Sequence, residues 1–190
     1  MINYGIIDRS ITFYEKQGFN RIESPWAVSP QISAITKPAH IPDNFVLNHT
    51  GKVLVASGEQ SFLYLYVKGF LPKGKFQTVT PCFRNEMFDL IHTKYFIKNE
   101  LIQTDGHLQS ELIGVIDHAY KFFLTLGFEK NSLNIVANDT DGWDIDYEGI
   151  ELGSYGIRSC DFLDWIYGTG VAEPRCSAIM RKYGIPQQTN

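Results

Sequence analysis

Residues 81–100, PCFRNEMFDLIHTKYFIKNE, place charged groups and aromatic rings side by side. The titratable side chains are Arg84, Glu86, Asp89, His92, Lys94, Lys98 and Glu100, and the rings are Phe83, Phe88, Tyr95 and Phe96. One interpretation is a surface hairpin, because antiparallel strands alternate apolar and charged side chains. The other is a site for a polyanion that carries a flat ring, such as ATP.

Two later segments combine acids, small residues and arginines. They are WDIDYEGIELGSYGIR (143–158), which contains Asp144, Glu151 and Arg158, and GTGVAEPR (168–175), which ends in Arg175. The pair Glu148-Gly149 predicts a turn, which places Asp144 and Glu151 on adjacent strands. Asp144 and Asp146 are either solvated residues beside the turn or part of a metal site, and Glu151 with the small residues after it favours a metal.

The elements that position these residues follow from hydrophobic periodicity. Helical spacing runs through residues 6–14, 58–72 and 107–128 and through the C-terminal CSAIMRKYG (176–184). Strands are predicted for RIESPW (21–26), VLVAS (53–57), KFQTVTPCFRNE (75–86), YFIKNELIQTD (95–105), SLNIVAND (132–139), the two halves of 143–162, and the segment that leads to Arg175. Residues 28–49 contain three prolines and predict a loop, which either borders a site or simply connects.

Hairpins outnumber crossover units in this order of elements. We therefore predict an α+β fold with a mainly antiparallel sheet flanked by helices. The length of 190 residues predicts a single domain over 1–190.

Composition limits the class of protein. Seventeen basic and 21 acidic side chains give a net charge of −4, and 44% of residues are hydrophobic, which indicates a soluble globular chain and argues against broad, unspecific nucleic-acid binding. The three cysteines are Cys82, Cys160 and Cys176, and their wide spacing predicts neither a disulfide framework nor a zinc site. No apolar run predicts a membrane span or signal peptide, so we expect a cytoplasmic protein.

Three segments resemble, in order, the signature motifs of class II aminoacyl-tRNA synthetases. The first helix with EKQGFNRIESPW resembles motif 1, which implies a homodimer through this region. PCFRNE with the following loop is similar to motif 2, which implies that Arg84 binds the α-phosphate of ATP, Glu86 the adenine amino edge and His92 the outer phosphates. Phe96 would stack on the adenine.

The later segments complete the resemblance. WDIDYEGIELGSYGIR resembles the strand pair before motif 3 in the aspartyl and lysyl subgroup, which implies that Asp144 and Glu151 hold Mg²⁺ and that Gly153 and Ser154 leave room for the amino acid. GTGVAEPR with CSAIMRKYG resembles motif 3, which implies that Arg175 grips the γ-phosphate. The resemblance spans nearly all of the chain and leaves no segment for an anticodon-binding domain.

The activity that this resemblance implies is ATP- and Mg²⁺-dependent activation of an amino acid, or a similar carboxylate, to an acyl-adenylate. The acceptor is then a small molecule, a carrier protein or a tRNA. Fixed guanidinium groups suit this chemistry, because negative charge grows on the phosphoryl oxygens as pyrophosphate leaves. Two rival hypotheses are a minimal tRNA-charging synthetase and a non-catalytic relative that senses a ligand or regulates a partner.

Several residues keep two interpretations. Arg158 either orients the substrate carboxylate or pairs with Glu151. Glu59 and Gln60 either bind the substrate α-amino group or favour a helix N-terminus. Specificity for the amino acid is expected from residues near Gly153, Lys98 and Glu59.

Overall fold

The computed structural model describes residues 1–37, 45–85, 94–139 and 142–187. Its strands are β1 (Asn20–Arg21), β2 (Ala27–Val28), β3 (Val53–Leu54), β4 (Lys75–Phe83), β5 (Tyr95–Gln103), β6 (Leu133–Ala137), β7 (Trp143–Tyr147), β8 (Ile150–Cys160) and β9 (Leu163–Glu173). Seven of them form one sheet in the order β1-β4-β5-β9-β8-β7-β6, while β2 pairs with β3. Within the large sheet only β1 and β4 run parallel, so the predicted fold class is confirmed.

One face of the sheet carries the main core. It is covered by α1 (Tyr4–Lys16), α4 (Leu108–Thr125) and α5 (Arg175–Lys182). α4 buries the stripe that its periodicity predicts, namely Leu112, Val115, Ile116, Ala119, Phe122 and Phe123. Burying each large apolar side chain stabilises the fold by about 1.5–3 kcal/mol, so this packing fixes the sheet that supports the other face.

The opposite face of the sheet is only partly covered. α3 (Gly58–Val67) lies against β4 and β5, and α2 (Pro30–Thr36) packs against α3. A second apolar cluster, which includes Phe62, Leu63 and Trp165, fills the space beneath α3. The uncovered part of this face is where the candidate site lies.

The loop prediction for residues 28–49 was wrong in part. A helix, α2, begins after Ser29, whose hydroxyl accepts a hydrogen bond from the backbone N–H of Ile32 at 3.4 Å, and Pro30 occupies its first turn. Serine before proline is a common helix start, because the serine oxygen satisfies a free N–H and proline fixes a helical φ. Three prolines in one segment concealed this start.

The strand predicted for RIESPW is also shorter than expected. Strand pairing covers only Asn20–Arg21, which lie beside Phe76 and Gln77 of β4. β2 was not predicted, β3 covers only Val53–Leu54 of the predicted 53–57, and α3 ends at Val67 within the predicted 58–72. The remaining strands and helices lie where periodicity predicts them, and the predicted turn contains Glu148 and Gly149, both with positive φ. Across the four described ranges, no helix combines the length and apolar content that a bilayer crossing needs.

Candidate functional site

A cavity of about 320 Å³ lies between the open face of the sheet, the start of α3 and the end of α2. Its walls include six of the residues singled out in the sequence: Glu59, Arg84, Lys98, Glu151, Ser154 and Arg158. They come from positions up to 99 residues apart. The fold therefore gathers separate segments around one space.

Three neighbouring strands supply the floor of this cavity. Side chains alternate between the two faces of a strand, so every second residue points toward the cavity. The floor residues are Lys98 and Glu100 of β5, Tyr167 and Thr169 of β9, and Ser154 and Arg158 of β8.

Arg84 lies at one end of the cavity, immediately after β4. Its backbone N–H donates to the carbonyl of Lys94 at 3.0 Å, so strand pairing continues past Phe83 and fixes where the side chain starts. Its guanidinium carbon is 5.1 Å from the ring centroid of Phe96, and its Nε donates to the carbonyl of Ala56 at 3.3 Å. A cation and an aromatic ring thus share this end of the cavity.

Lys98 and Glu100 join the floor to the start of α3. Lys98 Nζ lies 2.7 Å from Glu100 Oε1, and the other oxygen of Glu100 accepts from Ser57 Oγ at 2.8 Å and from the Gly58 N–H at 3.1 Å. The positive end of the α3 dipole favours a carboxylate at this position. Glu100 therefore anchors both the helix and the ammonium group.

Glu59 is buried, and both of its carboxylate oxygens accept hydrogen bonds. Arg158 Nη1 donates to Glu59 Oε2, and the Trp165 indole N–H donates to Glu59 Oε1 at 2.7 Å. Burial raises the pKa of Glu59 above its usual value, while the Arg158 charge opposes this shift. The Arg158 guanidinium also stacks on Tyr167, 4.2 Å from the ring centroid.

The geometry bears on the alternatives left open for Arg158 and Glu59. Arg158 pairs with Glu59 and not with Glu151, and its expected role toward the substrate carboxylate stays a prediction. Because only 3% of the Glu59 side chain is exposed and both its oxygens have donors, this carboxylate is unsuited to binding a substrate ammonium group. The same argument applies to Gln60, which bonds Ala56 and Ser33.

The predicted metal ligands lie on neighbouring strands. Asp144 is opposite Ser154 in the β7–β8 register, and Asn138 Nδ2 donates to Asp144 Oδ1 at 2.8 Å and to Ser154 Oγ at 3.3 Å. Glu151 accepts from Arg175 Nη1 at 2.6 Å. Mg²⁺ needs only one or two carboxylates when substrate phosphates supply the rest, so this donor set fits an ion that arrives with ATP. The described residues contain no cluster of three or more acids, histidines or cysteines suited to a metal.

No protein-family model and no curated protein matches this chain. A pyrrolysyl-tRNA synthetase from Desulfitobacterium hafniense superposes with a TM-score of 0.75 at 15% identity, covering 97% of this chain and 70% of that one. The chain has the class II synthetase fold.

Two further structures agree with this assignment of the fold. A second pyrrolysyl-tRNA synthetase structure from Desulfitobacterium hafniense gives a TM-score of 0.73 at 18% identity. That superposition covers 96% of this chain and 70% of the synthetase chain. The cytoplasmic serine-tRNA ligase of Naegleria fowleri, in complex with AMP, gives a TM-score of 0.72 at 17% identity. That superposition covers 97% of this chain and 49% of the ligase chain. At these identities the likeness concerns the fold.

Six of the expected site residues line the cavity, whereas Asp144, Phe96 and Arg175 lie outside its lining. Arg175 contacts the lining residue Glu151, and Phe96 contacts the lining residue Arg84. At Gly153 a Cβ would lie 2.7 Å from the Tyr155 hydroxyl and 2.9 Å from Thr169 Cβ, so close packing favours glycine there, and its expected role toward the amino acid stays a prediction. Glu86 and His92 lie outside the described residues.

Three residues of β9 were missed in the sequence. Trp165, Tyr167 and Thr169 alternate in LDWIYGTG and share the cavity face of the sheet, with Trp165 beneath Glu59. Their period of two was the available signal. The neighbouring glycines were instead assigned to the motif that ends in Arg175.

Proposed function

We propose that this chain activates an amino acid, or a similar small carboxylate, with ATP and forms an acyl-adenylate. The observation that carries the proposal is the placement of Arg84 and Arg175. They follow β4 and β9, the two neighbours of β5, and both stand beside the same end of β5, where Phe96 lies. Arg84 in the cavity lining, the Phe96 ring beside it, and Arg175 paired with the lining residue Glu151 would together fit a triphosphate and its base.

The reaction joins two anions, so the protein must offset their repulsion. A carboxylate oxygen of the substrate forms a bond to the α-phosphorus, and the bond from that phosphorus to the β-bridging oxygen breaks as pyrophosphate leaves. Arg84 would hold the α-phosphate with two N–H groups, and Arg175 would exchange Glu151 for the outer phosphates. Phe96 would stack on the adenine.

Magnesium has a place in this arrangement. Asp144 and Glu151 would hold Mg²⁺, which would neutralise phosphate charge when bound. The Asn138 amide, bonded to Asp144 at 2.8 Å, orients that carboxylate toward Ser154 on the cavity floor. Lys98, tied to Glu100 at 2.7 Å, adds a fixed positive charge within the same wall.

ATP–pyrophosphate exchange with each of the twenty amino acids tests the proposal. We expect exchange with one amino acid or a small group, and a loss of about a hundredfold or more in Arg84→Ala, the effect typical of removing one fixed transition-state donor. Arg181→Ala is the matched control, because Arg181 lies exposed in the last turn of α5. A folded chain that exchanges with none of the twenty would refute amino-acid activation and favour a ligand sensor.

The acceptor of the acyl group is a separate question. The names of the structural neighbours, two pyrrolysyl-tRNA synthetases and a serine-tRNA ligase, favour tRNA as one candidate. The net charge of −4 offers little general attraction for a large RNA and favours a small molecule or a carrier protein. Charging of total tRNA by the purified chain, measured as acid-precipitable amino acid, distinguishes these acceptors.

We also propose that the chain forms a homodimer through α1 and β1. The support is that β1 is a terminal strand of the large sheet and that both of its residues are exposed. A terminal strand exposes unpaired backbone groups that a second copy can cover.

A further inference from the structure

The cavity contains a charge pair to which the proposed function gives no role in binding ATP. Arg158 of β8 and Glu59 of α3 face each other in the lining of the cavity. Arg158 is 37% exposed in its side chain, whereas Glu59 is 3% exposed. The cavity therefore presents the guanidinium group and conceals the carboxylate behind it.

The hydrogen bonds of the pair favour its ionic form and oppose the burial that raises the pKa of Glu59. Both donors to Glu59, the guanidinium and the Trp165 indole N–H, are proton donors that cannot accept a proton in return. In a protonated Glu59 the oxygen that carries the proton would accept one of these two hydrogen bonds less well, so the contacts favour the ionised carboxylate. The positive charge that Arg158 presents to the cavity is thus already neutralised.

Donors nevertheless remain on Arg158. A guanidinium group has five N–H donors, and among the described residues Arg158 donates one of them to Glu59 and stacks its flat face on Tyr167. A neutral oxygen placed on the remaining N–H groups gains hydrogen bonds at no electrostatic cost. A carboxylate in the same position meets the Glu59 carboxylate across a single guanidinium group, and two like charges so close repel.

We propose that the Arg158–Glu59 pair selects an amino acid whose side chain is polar and uncharged, a carboxamide or a hydroxyl, and rejects the acidic counterpart. This inference rests on the proposed function only in taking an amino acid as the ligand. The neighbouring floor residues Ser154 and Thr169 add hydroxyl groups and no further charge. The pair therefore acts as a specificity determinant.

Calorimetric binding of isosteric amino acids tests this without requiring catalysis. Asparagine is compared with aspartate and glutamine with glutamate, and serine and threonine are included as hydroxyl ligands, at pH 7.5 with a non-hydrolysable ATP analogue present. We expect the wild-type chain to bind one of the neutral amino acids, and to bind an amide at least tenfold more tightly than its acid if an amide is the ligand.

Glu59→Gln is the informative variant. It keeps an oxygen acceptor for the Trp165 N–H and removes the charge that neutralises Arg158, so affinity for the acidic amino acids should rise about tenfold relative to the neutral ones. Glu111→Gln is the matched control, because Glu111 pairs with Lys75 at 3.0 Å on the helix-covered side of the molecule. That control should leave the preference unchanged.

The outcomes separate this inference from the proposed function. Tighter binding of aspartate or glutamate by the wild-type chain, or no binding of any of the four neutral amino acids, overturns the inference whether or not pyrophosphate exchange occurs. Neutral preference without exchange supports the inference and refutes the proposed function. If Glu59→Gln fails to fold, Arg158→Gln replaces it, and retention of the wild-type preference in that variant would overturn the inference.

Discussion

Three cations in or beside the cavity are paired with acids. Arg158 binds Glu59, Lys98 binds Glu100 and Arg175 binds Glu151. The first two acids are nearly inaccessible, whereas the Glu151 side chain is 46% exposed. A buried pair is costly to break, because one charge is left without a partner, while an exposed pair exchanges partners easily. The Arg175–Glu151 pair is therefore the one suited to opening for a ligand.

Glu151→Ala tests this view of the exposed pair. We expect the Mg²⁺ concentration for half-maximal pyrophosphate exchange to rise about tenfold or more, because even indirect partners of a metal change affinity by that much. The free energy of unfolding should fall by less than about 1 kcal/mol, as for other exposed pairs. Asp117→Ala, which breaks the surface pair with Lys121, should lower stability similarly with no change in the Mg²⁺ requirement.

Glu59 predicts a pH dependence of stability. Burial raises its pKa, with Glu100 adding to the shift and Arg158 opposing it, so the native state binds a proton more readily than the unfolded state. The contribution of this group to the free energy of unfolding is therefore largest below its pKa in the unfolded state, about 4.5. It falls as pH rises through its pKa in the native state. The difference in unfolding free energy between wild type and Glu59→Gln, measured by urea titration at several pH values, should shrink in that direction. A difference that grows with pH would contradict the raised pKa.

At the scale of elements, the decisive feature is how closely α3 approaches the sheet. α3 begins at Gly58, where a Cβ would lie 3.0 Å from both Glu100 Cβ and Thr80 Cγ2. Only glycine lets the start of the helix come this close, so that the Gly58 backbone N–H donates to Glu100 Oε2 at 3.1 Å. The cavity wall thus depends on a missing side chain.

Gly58→Ala should destabilise the chain by about 1–3 kcal/mol, because the added methyl group forces the helix away from the sheet. The Lys98–Glu100 pair would shift with it, so ATP affinity should fall as well. Gly114→Ala in α4 is the matched control, since nothing lies within 4 Å of its added Cβ. It should stabilise the chain by about 0.5–1 kcal/mol, which thermal or urea unfolding would measure.

At the scale of the whole molecule, the sheet has two terminal strands with different surroundings. β1 is short and adjoins α1, and β6 at the opposite side has an exposed run from Asn134 to Ala137. The proposed homodimer uses the β1 side. Substitutions on β1 should therefore affect dimerisation, and substitutions on β6 should not.

Sedimentation equilibrium should give twice the mass of the chain at micromolar concentration. Arg21→Glu, which reverses a charge on exposed β1, should weaken the dimer at least tenfold. Asn134→Lys on β6 should have no effect. Dissociation by the β6 variant alone would place the interface on the opposite side of the sheet.

The sequence by itself determined the elements and the segments that carry chemistry. Alternation with a period of two marks β4 and β5, the stripe of α4 predicts its buried face, and Arg84, Asp144, Glu151 and Arg175 are recognisable because local spacing encodes them. The helix after Ser29 and strand β2 were missed, and strands β1 and β3 are shorter than predicted. All four lie within residues 20–54, where four prolines interrupt the periodicity on which the prediction depends.

The tertiary structure decided which side chains meet. Glu151 and Ser154 are three residues apart, so strict alternation places them on opposite faces, yet both line the cavity because the β7–β8 register shifts by a bulge between Ile145 and Asp146. Arg158 finds Glu59 across 99 positions of sequence. Periodicity fixes the face on which a residue lies, but the partner on that face is set by strand order and helix packing, which no local pattern contains.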